Sequence, residues 1–271
     1  MPELPEVQTI RDQLSAYMPL KISSVKLSDV AESIVHTPLV KLRGQVIERI
    51  WRKGKMLVFE ISDGRKILSH LGMTGSWRIS SSPLKEKHNH IQIKGSCGEE
   101  TYYLSYVDPR RFGHLYLFGE EDAQKKLAEL GADLKSPEFT FEYFKDALIK
   151  YPERFIKVSL LDQSLFAGTG NYIANEICAR AYVRPDRKIK SLKEAEIVAL
   201  YHAVDVVVSG ATESGGTTFQ GGYADVNGDK GKGVQHLVVF YQKSCQMCGV
   251  TPVKKINLAQ RGTYYCPKCQ K

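Results

Sequence analysis

No apolar run in this 271-residue chain approaches the roughly 18–20 residues that a membrane span needs. The opening Met1-Pro2-Glu3-Leu4-Pro5-Glu6-Val7 is too acidic and too rich in proline for a signal peptide. Membrane and secreted classes are set aside, and a cytoplasmic protein is expected. Internal repeats and low-complexity tracts are missing too, which excludes solenoid and fibrous architectures. One long stretch lacks acidic residues. Between Lys230 and Lys271 there are eight Lys or Arg and no Asp or Glu, leaving 30 basic against 30 acidic side chains in the preceding 229 residues. The net charge of +8 therefore sits wholly in the tail. A neutral body with a cationic tail points to a polyanionic partner.

What is present describes a globular protein. Hydrophobic residues make up 42% and charged residues 25%, in a chain long enough for one large domain or two ordinary ones. Four of the six cysteines fall as Cys245-Gln246-Met247-Cys248 and, 17 residues on, Cys266-Pro267-Lys268-Cys269. This is a zinc-ribbon pattern: each C-x-x-C knuckle supplies two thiolates to one side of a tetrahedron, and a β-hairpin joins the sides. With four thiolates and no open position, one structural Zn2+ is expected. Nothing indicates export, so disulfides are disfavoured. Cys97 and Cys178 read as ordinary small hydrophobes.

Leu4, Val7, Ile10 and Leu14 recur at helical spacing and predict an opening helix over residues 3–18. From about Lys21 to Phe118, short runs parted by Gly, Asp and Ser turns predict antiparallel strands over 44–50, 56–61, 66–71, 76–79, 90–93, 101–106 and 114–118. The period then shifts to 3.6, with helices expected over 121–130, 141–149, 154–163 and 171–179. Ser191-Leu192-Lys193-Glu194 has the capping-box pattern of a long helix that stops before Gly215-Gly216. A glycine-rich loop with Gly221, Gly222, Gly228, Gly231 and Gly233 leads to an expected strand over 237–241 and then the ribbon. The expected class is α+β: an N-terminal helix with an antiparallel β-sandwich over 1–119, a linker over 120–136, a helical domain with the loop over 137–233, and a zinc finger over 234–271.

Three stretches in this order, the Met1–Val7 start, Leu161-Asp162-Gln163-Ser164-Leu165-Phe166-Ala167-Gly168-Thr169-Gly170-Asn171 and the terminal ribbon, closely resemble the formamidopyrimidine-DNA glycosylases, bifunctional base-excision-repair enzymes. His70-Leu71-Gly72-Met73-Thr74-Gly75, Glu86-Lys87-His88-Asn89-His90 and Asp108-Pro109-Arg110-Arg111-Phe112-Gly113 extend the resemblance over the whole chain. It implies a helix–two-turn–helix DNA-binding domain between sandwich and finger. It also implies removal of oxidised purines such as 8-oxoguanine and formamidopyrimidines from duplex DNA, followed by nicking of the abasic site. No redox or nucleotide cofactor is implied, and a monomer is expected.

Pro2 by itself suits the first turn of a helix. With Met1 removed it would carry a secondary amine. Terminal amines titrate near pH ~7.7–8.0, so free base exists near neutrality to attack a sugar C1′ and form an iminium. The resemblance makes Pro2 that nucleophile and Glu3 its acid/base, a role that needs burial to raise the carboxyl pKa. A carboxylate favoured by the helix dipole is the plainer account of Glu3. The resemblance also places Glu6 at the extruded base, Lys55 of Arg52-Lys53-Gly54-Lys55 in the active site, and His90 at a phosphate. Base flipping vacates a stack position that something must fill. Met73 and Phe112 are assigned to that gap, and Arg110 to the orphaned base. Asn171 and Lys157 are assigned to the strand backbone, where a helix N-terminus also offers free amides. Arg261 is assigned to the phosphates at the lesion and the second elimination.

Asn171-Tyr172-Ile173 reverses the Asn-Ile-Tyr order of many bacterial relatives, and the loop over 219–233 is unusually rich in glycine. The nearest rival is an endonuclease VIII-like enzyme for oxidised pyrimidines, whose start reads Pro-Glu-Gly-Pro where this chain has Pro2-Glu3-Leu4-Pro5. A non-catalytic zinc-ribbon DNA-binding protein is a rival of another class. An RNA-binding ribbon is disfavoured because flipping wedges have no use on single strands.

Overall fold

The computed structural model describes residues 1–37, 39–219 and 222–271; Gly221 of the glycine-rich loop lies outside the described residues. The chain divides into two compact units, Met1–Glu129 with Ser214–Lys232, and Leu130–Glu213 with Gly233–Lys271.

In the first unit, α1 (Leu4–Ser15) forms because Leu4, Val7, Ile10 and Leu14 make one apolar face, which is fully buried. Eight strands follow: β1 (Leu20–Leu27), β2 (Val46–Lys53), β3 (Met56–Ile61), β4 (Lys66–His70), β5 (Ser76–Ser80), β6 (Asn89–Cys97), β7 (Glu100–Val107) and β8 (His114–Phe118). They form a ladder in the order β5-β7-β6-β1-β2-β3-β4-β8, antiparallel at each step. β1 is its seam. It meets β2 at Leu20↔Ile47 and Lys21↔Val46, then runs along β6 as far as Leu27↔Ile91. Beyond the seam the ends of the ladder close over each other. The Trp77 ring on β5 lies 5.2 Å from Phe59 on β3, and its indole N–H donates to Ser69 Oγ on β4 at 3.0 Å. The sandwich is thus one continuous sheet folded around a single core that includes Val7, Ile10 and Leu14 of α1. α2 (Glu120–Ala128) follows β8.

Ser214–Lys232 packs into this unit, whereas the sequence reading groups it with the helical half. Tyr223 and Val226 enter the sandwich core. Gln13 Nε2 donates to Asp225 Oδ2 at 2.7 Å, and Arg78 donates to the backbone oxygens of Ala224 and Asp225.

The second unit contains β9 (Ala132–Asp133) paired in parallel with β10 (Phe166–Ala167), then α3 (Phe141–Ile149), α4 (Ile156–Leu160), α5 (Asn171–Arg180), α6 (Glu194–Glu213) and a hairpin of β11 (Lys254–Leu258) and β12 (Arg261–Tyr265). The rings of Phe139, Phe144, Phe166 and Tyr201 cluster in its core. By length and apolarity α6 could cross a membrane, contrary to the sequence reading. Its Ile197, Leu200, Val204 and Val208 face is buried, as in the core helix of a globular unit. Ser191 lies in a short 3-10 turn and not at a cap; Glu196 reaches back to Lys193 N at 2.7 Å. The helix expected over 154–163 is confined to the five residues of α4.

Residues 237–241, expected as a strand, form none. The Glu176 carboxylate on α5 accepts from Val238 N, Val239 N and Phe240 N at 2.7, 3.0 and 2.8 Å. Amides already bonded this way have no ladder to enter. Burial raises the pKa of Glu176.

Candidate active site and nucleic-acid interface

Pro2 is buried and Glu3 is 3% exposed, although both lie next to the chain terminus; Met1 before them is exposed. Glu3 and Glu6 form a reciprocal capping box at the start of α1, with Glu6 Oε2 accepting from Glu3 N at 2.7 Å. Glu6, expected at an extruded base, is held by the fold itself. It is 1% exposed, and its Oε1 accepts from Thr217 N at 2.6 Å, so each oxygen holds a backbone amide. It fastens the segment over 214–232 to the N-terminal end of α1. Gly216, at φ +84°, permits the approach, since a Cβ there would stand 3.0 Å from Glu6 Cγ.

Lys55 follows Gly54 in the β2–β3 turn and is buried despite its charge. Its basic neighbours are tied down: Arg52 Nε donates to Gln8 Oε1 on α1 at 2.6 Å, and Lys53 Nζ to Leu127 O at 3.0 Å. His70, to which the sequence assigned no role, lies within electrostatic reach of Lys55. Burial first, then the charges of Lys55 and His114, hold its pKa down at about 4. Its Nδ1 accepts from Gly72 N at 3.2 Å, placing the proton of the neutral ring on Nε2.

The unfolded chain takes up a proton on His70 near pH 6.5 that the folded chain refuses until about pH 4. Stability is therefore fully present above pH 6.5 and lost as pH falls toward 4. Between pH 7 and 5 the native chain is expected to lose about 2 kcal/mol more than His70→Gln, read from urea unfolding at both pH values. Equal losses would refute the buried neutral ring.

Met73 and Phe112 are 40% and 47% exposed, and the exposed Arg110 guanidinium lies over the Phe112 ring at 4.6 Å. These three stand together on the adjoining turns over 71–75 and 108–113. His90, expected at a phosphate, is enclosed by its own neighbours. It is buried, with Nε2 3.0 Å from Asp108 O and Nδ1 3.0 Å from Ser28 Oγ. A carbonyl can only accept, so Nε2 carries the proton and both ring nitrogens are engaged. His90 supports the 108–113 turn from within.

In the second unit Lys157, expected at the strand backbone, is 0% exposed. Its Nζ donates to Thr263 Oγ1 at 2.7 Å and Gly262 O at 3.2 Å. Asn171 Nδ2 donates to the same Gly262 O at 3.1 Å, and Tyr264 N to Asn175 Oδ1 at 2.6 Å. α4 and α5 thereby hold the finger hairpin near its tip. The tip is Ala259-Gln260, both left-handed at φ +48° and +60°, as in a type I′ turn. Two non-glycine residues kept there mark a strained, over-determined tip, and exposed Arg261 follows directly. Tyr172 and Ile173, in their reversed order, are both buried. Lys157→Met is expected to weaken DNA binding at every salt concentration without changing the slope of log affinity against log salt. A slope reduced by about one unit would reveal a phosphate contact after all.

The sulfurs of Cys245, Cys248, Cys266 and Cys269 lie within 4.8 Å of one another, Cys248 and Cys266 at 4.0 Å. Tetrahedral zinc with Zn–S bonds of about 2.3 Å spaces its sulfurs by about 3.8 Å, whereas a disulfide requires about 2.05 Å. The first knuckle is closed by Gly249 N donating to Cys245 O at 2.8 Å, with Gly249 at φ +72°. In the second, Cys269 N donates to Cys266 Sγ at 3.4 Å. The four residues fit one structural Zn2+.

Residues 1–115 match the formamidopyrimidine-DNA glycosylase N-terminal domain, 130–221 the formamidopyrimidine-DNA glycosylase H2TH domain, and 243–271 the zinc finger found in FPG and IleRS. A formamidopyrimidine-DNA glycosylase of Oceanobacillus iheyensis is 38% identical over 283 residues, spanning 100% of this chain and 98% of its own. The structure of MutM in complex with DNA containing carbocyclic 8-oxo-G is similar with a TM-score of 0.88 at 32% identity, covering 100% of both chains. Lactococcus lactis Fpg with DNA containing an abasic site gives 0.88 at 31%, covering 99% of each. Such likeness over both units defines a DNA glycosylase with a helix–two-turn–helix domain and a zinc finger. Within that class, the chain belongs to the formamidopyrimidine-DNA glycosylase family.

Proposed function

We propose that the chain excises oxidised purines, 8-oxoguanine and formamidopyrimidines, from duplex DNA and then nicks the abasic site, acting as a monomer in the cytoplasm. The similar MutM holds an 8-oxo-G analogue and the Lactococcus enzyme an abasic site, one substrate for each half of this reaction. The observation that carries the reading is the buried Pro2-Glu3 start of α1. Once Met1 is removed, the Pro2 amine attacks C1′ and displaces the base, which leaves with a proton; protonation of the ring oxygen then breaks the C1′–O4′ bond and the open sugar remains as an iminium. Glu3, beside that amine, moves protons as the sugar opens. Elimination of the 3′-phosphate and then of the 5′-phosphate releases the sugar fragment, and hydrolysis restores the amine. Lys55 and Arg261 neutralise phosphates at the lesion, while Met73, Arg110 and Phe112 fill the vacated stack and meet the opposite base. Zn2+ holds the fold of the finger and takes no part in the chemistry.

The test is incubation with a duplex carrying 8-oxoguanine opposite C in the presence of borohydride, on protein whose N-terminal mass shows Met1 absent. A stable protein–DNA adduct is expected. No adduct on this duplex or on an abasic one would refute the mechanism, and preferential trapping on an oxidised pyrimidine would overturn the purine assignment.

A further inference from the structure

The two turns that carry Met73 and Arg110-Arg111-Phe112 are far apart in sequence and joined by a single buried carboxylate. Asp108 is 0% exposed. Its Oδ1 accepts from Thr74 Oγ1 at 2.5 Å and from Arg110 N at 3.3 Å, and its Oδ2 accepts from Gly113 N at 2.8 Å. Thr74 Oγ1 in turn accepts from Arg110 N at 3.2 Å. The main chain of Asp108 is held as well, its N–H donating to His88 O at 3.1 Å while its carbonyl takes the His90 proton.

Close backbone contact completes the junction. A Cβ on Gly72, itself at φ +62°, would stand 2.2 Å from Phe112 O. Cβ atoms on Gly75 and Gly113 would meet the same Tyr106 hydroxyl at 2.1 and 1.8 Å. Both turns therefore rest on one buried ring, and Asp108 with Thr74 is pinned between them.

We propose that Asp108, acting through Thr74, is the positioning residue that makes Met73, Arg110 and Phe112 enter the base stack as one rigid wedge. The inference rests on the wedge reading of those three residues. A wedge of two independently moving turns would have to be ordered during insertion, whereas a pinned one meets the duplex already formed. The contribution falls on base extrusion. An abasic substrate has no base to extrude, so its cleavage depends less on the pin.

The experiment compares Asp108→Asn, Thr74→Val and Thr74→Ser with the native chain on an 8-oxoguanine duplex and on a preformed abasic duplex. A 2-aminopurine beside the lesion reports unstacking. Asp108→Asn turns one oxygen into a donor facing backbone N–H groups, and Thr74→Val removes the bridge without touching the carboxylate. Excision by each is expected to fall on the order of tenfold relative to abasic-site cleavage. The 2-aminopurine rise should slow in parallel, and Thr74→Ser should restore both. Equal losses on the two substrates would show a merely structural role and overturn the proposal, as would a Thr74→Ser variant as impaired as Thr74→Val. If Asp108→Asn does not fold, the Thr74 pair decides alone. Met73→Ala separates the premises. Impaired extrusion in Met73→Ala with normal extrusion in Thr74→Val refutes the pin; normal extrusion in Met73→Ala refutes the wedge. Mature protein, with Met1 absent, that gives no borohydride adduct would instead refute the Pro2 mechanism proposed above.

Discussion

Protein that retains Met1, or carries an extra residue before Pro2, is expected to form no borohydride adduct and to excise 8-oxoguanine at least about a thousandfold more slowly than the mature form. The reason is confined to one atom. With a residue attached, the Pro2 nitrogen is an amide without a basic lone pair; without it, a secondary amine that titrates near neutrality. The fold is not at stake, because with Met1 in place Pro2 is buried and the Glu3–Glu6 box is closed. Pro2→Gly with Met1 removed supplies the control, since it restores a primary amine at the same position and should recover part of the adduct. Two preparations with the same circular dichroism and the same DNA affinity, differing in trapping alone, would locate the nucleophile. Equal trapping by the Met1-retaining form would remove Pro2 from the chemistry.

Zinc removal should have the second large effect, for a different reason. Structural zinc bound by thiolates is worth about 10–16 kcal/mol near pH 7, and that binding energy is folding energy for a segment with little core of its own. Stripping the ion with a chelator, or Cys266→Ala, is expected to unfold the hairpin while the first unit stays intact. Duplex affinity should fall on the order of a hundredfold as Lys254, Lys255, Arg261 and Lys268 lose their fixed positions. The release of one zinc per chain to a chelating dye should track the loss of affinity in fluorescence anisotropy. Full affinity after complete zinc loss would show that the finger contributes nothing to binding.

The site residues divide by how far their surroundings lie along the chain. The four cysteines and the apolar face of α1 were legible because the pattern itself is the structure: two knuckles, or a 3.6-residue period. Met73, Arg110 and Phe112 were assigned through motifs, and the structure leaves all three outside the core. Lys157, His90 and Glu6 were assigned to DNA or base from motif context, yet each is buried on backbone partners. No local signal separates a lysine that meets phosphate from one that meets Gly262 O. Asp108, His70 and Glu176 drew no assignment, because a lone carboxylate or imidazole has no spacing to betray it.

By itself, the sequence determined the α+β class, the course of α1 and most strands, the zinc knuckles and the cationic tail, all of which arise from neighbours within a few residues. The tertiary structure alone decided what the polar groups face. Thr217 N meets Glu6 across 211 positions and Lys157 meets Thr263 across 106, while three amides over 238–240 pair with Glu176 where a strand was expected. Buried donors and acceptors must find partners wherever the fold supplies them. Those partners come from packing between distant segments, which periodicity and spacing do not encode.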